Sequence, residues 1–231
     1  MSAPGFDFAV RPVEGGAEYK ACEALQKRVW GYADLDVVPK NELISVAFSG
    51  GSVLGAFAGE RMVGFCFGFV GLEVGPPRRL YLSSRMLAVD PGWRGRGVAV
   101  ALKQAQRQAT LERGIDLMRW TFDPFQAANA VLNLRKLGAE AYGYVRDFYG
   151  RTTSPLHAAG TDRLLVEWRL ADEPRPVASG ADDLAVLVPP RETADRGAVR
   201  AAFEDAFARG YRAVGVEDRD EGGLRYRLVR S

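Results

Sequence analysis

A chain of 231 residues with 47% hydrophobic and 10% aromatic content can bury a real core, as one large domain or one domain with a sizeable appendage. Its 31 lysines and arginines against 29 aspartates and glutamates leave a net charge of +2, so any basic surface is local and nothing demands nucleic acid. Two cysteines (Cys22 and Cys66, with no Cys-x-x-Cys) and one histidine (His157) supply neither a disulfide framework nor a zinc site, and they point to a reducing, cytoplasmic compartment.

The N-terminal "MSAPGFDFAV" has no basic segment followed by an apolar run, so no export leader is expected. Phe6 to Val13 alternates as a first strand. "GGAEYKACEALQKRVWG" then spaces Tyr19, Cys22, Leu25, Val29 and Trp30 as one face of a helix closed by Gly31. The next segment, "GYADLDVVPKNELISVAFSG", carries no readable signature. "SVLGAFAGERMVGFCFGFVG" reads as a hairpin around Ala58-Gly59-Glu60, and its most apolar stretch is too short and too glycine-rich to cross a bilayer. Leu80 to Val89 is apolar on both faces apart from Ser83, Ser84 and Arg85, which suits a central strand. The following helix puts Val98, Ala101, Leu102, Ala105 and Ala109 on one face, with Lys103, Gln104, Arg107 and Gln108 elsewhere, and stops at Gly114. Ile115 to Phe122 is a strand, Asp123-Pro124 a turn, and Phe125 to Leu137 a helix stopped at Gly138. "AYGYVRDFY" is extended and "DRLLVEWRL" closes this block. Residues 1–170 are therefore expected as one domain and 171–182 as a Pro/Ala/Gly/Asp linker. Residues 183–231 read as a β-α-β-β appendage with a helix from about Thr193 to Arg209; it has too little core to stand alone and is expected to pack on the main domain.

The chemistry is concentrated in "RMLAVDPGWRGRGVAVALKQAQRQA". A strand runs through a turn into a helix whose first turn has no acidic residue. The start of a helix leaves four N–H groups without intrahelical partners and carries about half a positive charge, which favours a phosphate there. Gly95, Gly97 and Ala99 keep side chains out of the approach, and Arg94 and Arg96 flank it. A Rossmann fingerprint fails because Val100 stands where the third glycine belongs, and a Walker A loop fails for want of Gly-Lys-Ser/Thr.

The pattern Arg/Gln-x-x-Gly-x-Gly/Ala over Arg94 to Ala99 resembles motif A of the GNAT superfamily, the GCN5-related acyl-CoA N-acyltransferases. "MLAV", Asp90-Pro91 and "NLRKLGA" reinforce it, and the resemblance extends over about Phe6 to Leu170. "WTFDP", "NAVLNLRKLGA" and "DFYG" are similar to a subgroup that mostly lacks an assigned substrate. The resemblance implies an α/β GNAT fold: a mixed, mostly antiparallel sheet with a central parallel strand pair flanked by helices, with the appendage added. It implies CoA binding by Met86, Leu87, Ala88, Val89, Arg94, Gly95, Arg96, Gly97, Val98 and Ala99. It further implies acetyl-CoA or another short acyl-CoA as co-substrate, no metal, and direct attack by an amine on a carbonyl polarised by backbone N–H groups near Leu87.

Many family members carry a tyrosine two residues before the Lys-x-Gly ending, as the acid that protonates the departing thiolate; this chain has Leu134 there. Asn129, Asn133 and Lys136 fall on one helical face, either as a stripe that holds pantetheine or a water, or as a plain solvent-facing side. Tyr142, Tyr144 and Tyr149 are the other acid candidates, with packing the first explanation of each. Glu73 and Asp123 are candidate bases, with Asp123 also read as a helix cap. Arg85 and Arg119 interrupt apolar strands and are read either as carboxylate anchors for the acceptor or as structural ion pairs with Glu73, Asp116 or Asp123. Cys22 and Cys66 read as buried small hydrophobes, and His157 as a loop histidine. The expected partners are acyl-CoA and a small amine or amino acid, with neither nucleic acid nor membrane; a homodimer fits equally. The expected activity is N-acyl transfer, set against two rivals, an acyl-CoA sensor without turnover and an acyltransferase for protein amines.

Overall fold

The computed structural model describes residues 8–150, 160–172, 180, 182–218 and 223–230, which fall into two compact units divided after Met118. His157, Phe6 and most of the expected linker lie outside the described residues.

In the first unit, β1 (Ala9–Pro12), β2 (Ser52–Ala58), β3 (Arg61–Glu73) and β4 (Arg79–Val89) pair in that order, each antiparallel to the next. Helix α1 (Gly15–Trp30) buries Tyr19, Cys22 and Leu25, as its spacing dictates, and Gly31 ends it at φ 65° with its N–H on the Lys27 carbonyl. Helix α2 (Lys40–Phe48) has no counterpart in the sequence reading. Pro39 stands at its N-cap, Glu42 lies in its first turn, and only Leu43 and Val46 turn inward. That one-sided pair is too weak a stripe to stand out from a loop.

The sheet is covered on both faces. On one, α1 and α2 enclose a core of Leu25, Leu43, Phe57, Met62, Phe65 and Phe67. On the other, α3 (Val98–Leu111) packs Val98 and Leu102 against Leu54, Ala56, Val63 and Cys66. Each fully buried leucine or phenylalanine contributes about 1.5–3 kcal/mol. Helix α3 comes this close because Gly64 has no side chain, since a Cβ there would lie 2.9 Å from Val98 and 3.1 Å from Leu102. Two register shifts interrupt strict alternation. In β3, Met62 pairs with Phe57 and Gly64 with Ala56, so Val63 is the extra residue. In β4, Met86 pairs with Phe67 and Ser84 with Gly68, so Arg85 is.

The second unit starts within β5 (Leu117–Phe122) and continues through α4 (Ala127–Ala130), which opens into a π-helical turn over Val131–Lys136, then β6 (Glu140–Val145), β7 (Arg163–Arg169), β8 (Leu184–Val188), α5 (Arg196–Ala208), β9 (Tyr211–Asp218) and β10 (Leu224–Arg230). Its strand order is β5-β7-β6-β9-β10-β8. The appendage thus joins this sheet through β9, where Ala213 pairs with Ala141 of β6. Its helix buries Val199 and Phe203, with the Phe203 ring stacked 5.7 Å from Tyr144 and edge-on 5.2 Å from Tyr226.

Candidate acyl-CoA site

The first unit places the whole of the expected phosphate motif. Strand β4 ends at Val89, and Asp90 fixes the turn: its carboxylate accepts the Gly92 N–H at 3.1 Å and pairs with Arg61 at 3.1 Å and Arg28 at 3.6 Å. Burial opposes the Asp90 charge, but the Gly92 N–H and the two guanidiniums outweigh it and hold the carboxyl below the ordinary range. Trp93 meets Phe8 edge to face at 6.4 Å, and the Arg96 guanidinium lies 5.1 Å from the Trp93 ring. The turn is therefore anchored on its apolar side.

Gly95 at φ 76° and Gly97 at φ 82° are both left-handed, a conformation that favours glycine. A Cβ built on either would meet nothing within 4 Å, so the space above both faces outward and is open to a ligand. Gly97 is the N-cap of α3, with no side-chain cap and no acid in the first turn. No side chain caps the N–H groups at the head of this helix, and Arg94 and Arg96 beside them are exposed. These residues fit a diphosphate.

Along β4, Met86 and Ala88 point to the α1/α2 side and Leu87 and Val89 to the α3 side. The bulge at Arg85 interrupts the ladder beside them and holds an exposed arginine side chain. Gly68 makes it possible: a Cβ there would lie 2.7 Å from the Ser83 carbonyl oxygen and 3.1 Å from the Ser84 Cα. Sequence reasoning missed the bulge, although three glycines within one strand, Gly64, Gly68 and Gly71, were its available signal.

The remaining candidates lie in the second unit, and the structure sorts them. Asn129 and Lys136 are exposed, whereas Asn133 is buried and its side-chain oxygen accepts the Trp120 indole N–H at 3.2 Å. The three do not form a common face, because the π turn lets the helix run wider than the 3.6-residue spacing assumes. Tyr144 donates its hydroxyl to Asp162 at 2.8 Å; burial first, and that carboxylate second, push its phenol well above the usual range. Tyr149 lies under the Arg163 guanidinium at 5.0 Å and against Phe148 at 4.8 Å. The Tyr142 ring has guanidiniums of Arg119 and Arg212 each 5.8 Å away. Asp123 caps the chain toward α4, accepting the Phe125 N–H at 2.9 Å, and is gripped by Arg191. Arg119 faces Glu167 at 3.6 Å, a partner outside the three expected. Glu167 lies distant in sequence, beyond the reach of any local pattern.

Asp162, which sequence reasoning passed over, is the hub of this unit. It is fully buried and accepts both Arg200 N–H groups at 2.7 and 2.8 Å, the Tyr144 hydroxyl, and the Asp147 N–H at 3.0 Å. Burial works against its charge; Arg200, the Asp147 N–H and Tyr144 prevail and bring its carboxyl to about 2. Cys22 and Cys66 are free and buried, and burial pushes both thiols up to about 12. Among the described residues no group of His, Cys, Asp or Glu is arranged to hold a metal, and no helix is long and apolar enough to cross a membrane.

A central strand thus runs through a left-handed glycine turn into an uncapped helix start in an α/β protein. The model of the acetyltransferase (GNAT) family matches residues 20–139, more than half of the chain, and the protein belongs to that family. The fold is accordingly α/β, with a mixed, mostly antiparallel sheet that includes one parallel pair, plus additional C-terminal strands, and the chain is an acetyl-CoA-dependent N-acetyltransferase by family. Among solved structures it is similar to the ribosomal-protein-S18-alanine N-acetyltransferase from Escherichia coli (15% identity, TM-score 0.56, 74% of this chain and 99% of that one). It is likewise similar to a GNAT acetyltransferase from Streptococcus pneumoniae (16%, 0.55, 70% and 98%). An aminoglycoside 6'-N-acetyltransferase complexed with coenzyme A gives 13%, 0.51, 72% and 99%. No curated protein matches the chain in sequence.

Proposed function

We propose that this protein transfers an acetyl or other short acyl group from acyl-CoA to the amine of a small molecule or amino acid, by direct attack and without a covalent enzyme intermediate. The observation that carries the reading is the uncapped start of α3 beneath two left-handed glycines with open space above them. Val98 and Ala99 offer the first N–H groups of that helix, Arg94 and Arg96 supply charge, and the backbone from Met86 to Val89 takes the pantetheine. N–H groups near Leu87 and the Arg85 bulge polarise the thioester carbonyl, with oxyanion-type donors of this kind each worth about 3 kcal/mol.

For an acceptor that bears a carboxylate, Arg85 is the better anchor of the two arginines considered. Its side chain is exposed at the bulge, whereas that of Arg119 is only 23% exposed. Among the tyrosines, Tyr144 is a poor acid because its proton is held by Asp162. Two buried free thiols suit a reducing, cytoplasmic setting.

Thiol release from several acyl-CoAs against a panel of amines, amino acids and peptides tests the reading. Turnover is expected with a free amine or amino acid. Turnover with peptides alone moves the activity to protein amines, and tight acyl-CoA binding without turnover on any acceptor makes the chain a sensor.

A further inference from the structure

The packed face of α3 holds three residues that its apolar stripe does not predict. Lys103 is 2% exposed, and Gln106 and Thr110 below it are fully buried. The Lys103 ammonium donates to the Ser84 hydroxyl oxygen at 2.7 Å, the Ser84 hydroxyl donates to the Gln106 side-chain oxygen at 2.8 Å, and the Thr110 hydroxyl donates to the Gln106 carbonyl at 2.6 Å. The Gln106 side-chain nitrogen is a buried donor that no acceptor among the described residues satisfies. A core built for stability alone would be apolar here, because a lysine is almost never fully buried and an incompletely satisfied polar network costs more than hydrocarbon.

The network hangs from the two elements that carry the CoA motif, Lys103 and Gln106 from α3 and Ser84 from β4 immediately before the bulge at Arg85. Transfer of an acyl group expels a thiolate, which needs a proton. We propose that Lys103 is the source of that proton and passes it through the Ser84 hydroxyl to the departing CoA sulfur. The acceptor nitrogen bonds to the carbonyl carbon, and the C–S bond breaks with its electron pair on sulfur. Ser84 turns its hydroxyl hydrogen from the Gln106 oxygen to the sulfur and gives it up, taking one from the Lys103 ammonium in exchange, and the proton shed by the acceptor nitrogen restores the ammonium through solvent.

The surroundings suit this task. Burial brings the Lys103 amine down to about 7, with Cys66 of β3 acting weakly in the opposite direction. Cys66 itself stays a neutral thiol at that pH, and β1 and β2 face the helix with Phe8, Leu54 and Ala56, none of which titrates. An acid near 7 hands a proton downhill to a thiolate whose thiol titrates at about 8.5; a lysine at the ordinary value of about 10.4 does not.

The inference rests on the acyl-transfer reading, and two measurements keep the fates of the two apart. In the first, the pH dependence of kcat is compared for the parent, Lys103→Met and Ser84→Ala. The parent is expected to lose rate above about pH 7 as the amine deprotonates. Both variants are expected to lose about 10²-fold in kcat together with that limb, while CoA affinity is kept and Lys103→Met melts higher than the parent. Parental kcat and an intact limb in both variants overturn the proposal. In the second, the Lys103 ε-carbon is titrated by NMR in the presence of CoA and of desulfo-CoA. CoA is expected to raise the Lys103 midpoint and desulfo-CoA to leave it in place; equal responses overturn the proposal without reference to turnover. A parent that turns over no pair of substrates removes the acyl-transfer reading, and the titration alone then decides whether Lys103 answers to the thiol.

Discussion

The two units are held by different forces. The first is a sheet between two apolar layers, with leucine, phenylalanine and valine on both sides and Lys103 and Asp90 as its buried ionisable side chains of opposite sign. The second is tied by arginines: Arg200 to Asp162, Arg191 to Asp123, Arg146 to Glu204, and Arg212 with Arg119 to Glu167. Apolar burial tolerates changes of pH and salt. A lattice that converges on buried carboxylates is strongly destabilised when one partner is removed, because an uncompensated charge is left inside. The CoA motif therefore sits in the half of the molecule that relies least on ion pairs.

The largest break in that contrast comes from cutting the chain after Leu170. The cut takes Arg200 from Asp162, Phe203 from Tyr144 and β9 from β6, and fragment 1–170 is expected to lose cooperative melting and to aggregate; sharp, soluble melting would show that the remaining strands need no arginine lattice. Asp162→Ala is the point version. It is expected to cost about 3–5 kcal/mol in urea unfolding and to leave CoA affinity in the folded fraction unchanged. Gly97→Asp sharpens the contrast from the other side. A carboxylate and a Cβ at the head of α3 are expected to weaken CoA by 10²-fold or more in calorimetric titration, with the melting temperature moved by only a few degrees.

The pH dependence follows in size. Asp162 has a folded-state value of about 2, below the ordinary 3.8, so its contribution is fully present above about pH 4 and is lost as the pH falls toward 2. The loss is about 2 kcal/mol and is expected in acid unfolding of the parent, absent from Asp162→Asn. Tyr144→Phe gives a change of the same order. Losing one hydrogen bond to a charged acceptor is expected to cost about 1.5–3 kcal/mol of stability at most, with turnover preserved; a fall of 10²-fold in kcat would restore Tyr144 as the acid.

How much of this was legible in the sequence followed the range of the forces. The hairpin at Ala58-Gly59-Glu60, the glycines at Gly31 and Gly114 that follow helices, and the glycine turn that leads into α3 are local patterns, and the structure has each of them in place. Helix α2 escaped because only Leu43 and Val46 point inward. The stripe of Asn129, Asn133 and Lys136 was drawn for an α-helix and dissolved in a π turn. Residue type sets Lys103 apart from the apolar face of α3, whereas Ser84 on a neighbouring strand brings it inside. The Asp162 hub joins residues 38 apart, and no periodicity reaches that far.

The bond from the Tyr226 hydroxyl to the Pro124 carbonyl spans 102 residues. During synthesis at about 5–20 residues per second, the strand end at Pro124 leaves the ribosome roughly 5–20 s before its partner. During that interval β6 and β7 follow β5 out, presenting apolar and carboxylate side chains whose partners in α5, β9 and β10 have not yet been made, while every strand and helix of the first unit has already emerged. The residues of the first unit, with the turn from Arg94 to Gly97, are thus synthesised before the second unit is complete.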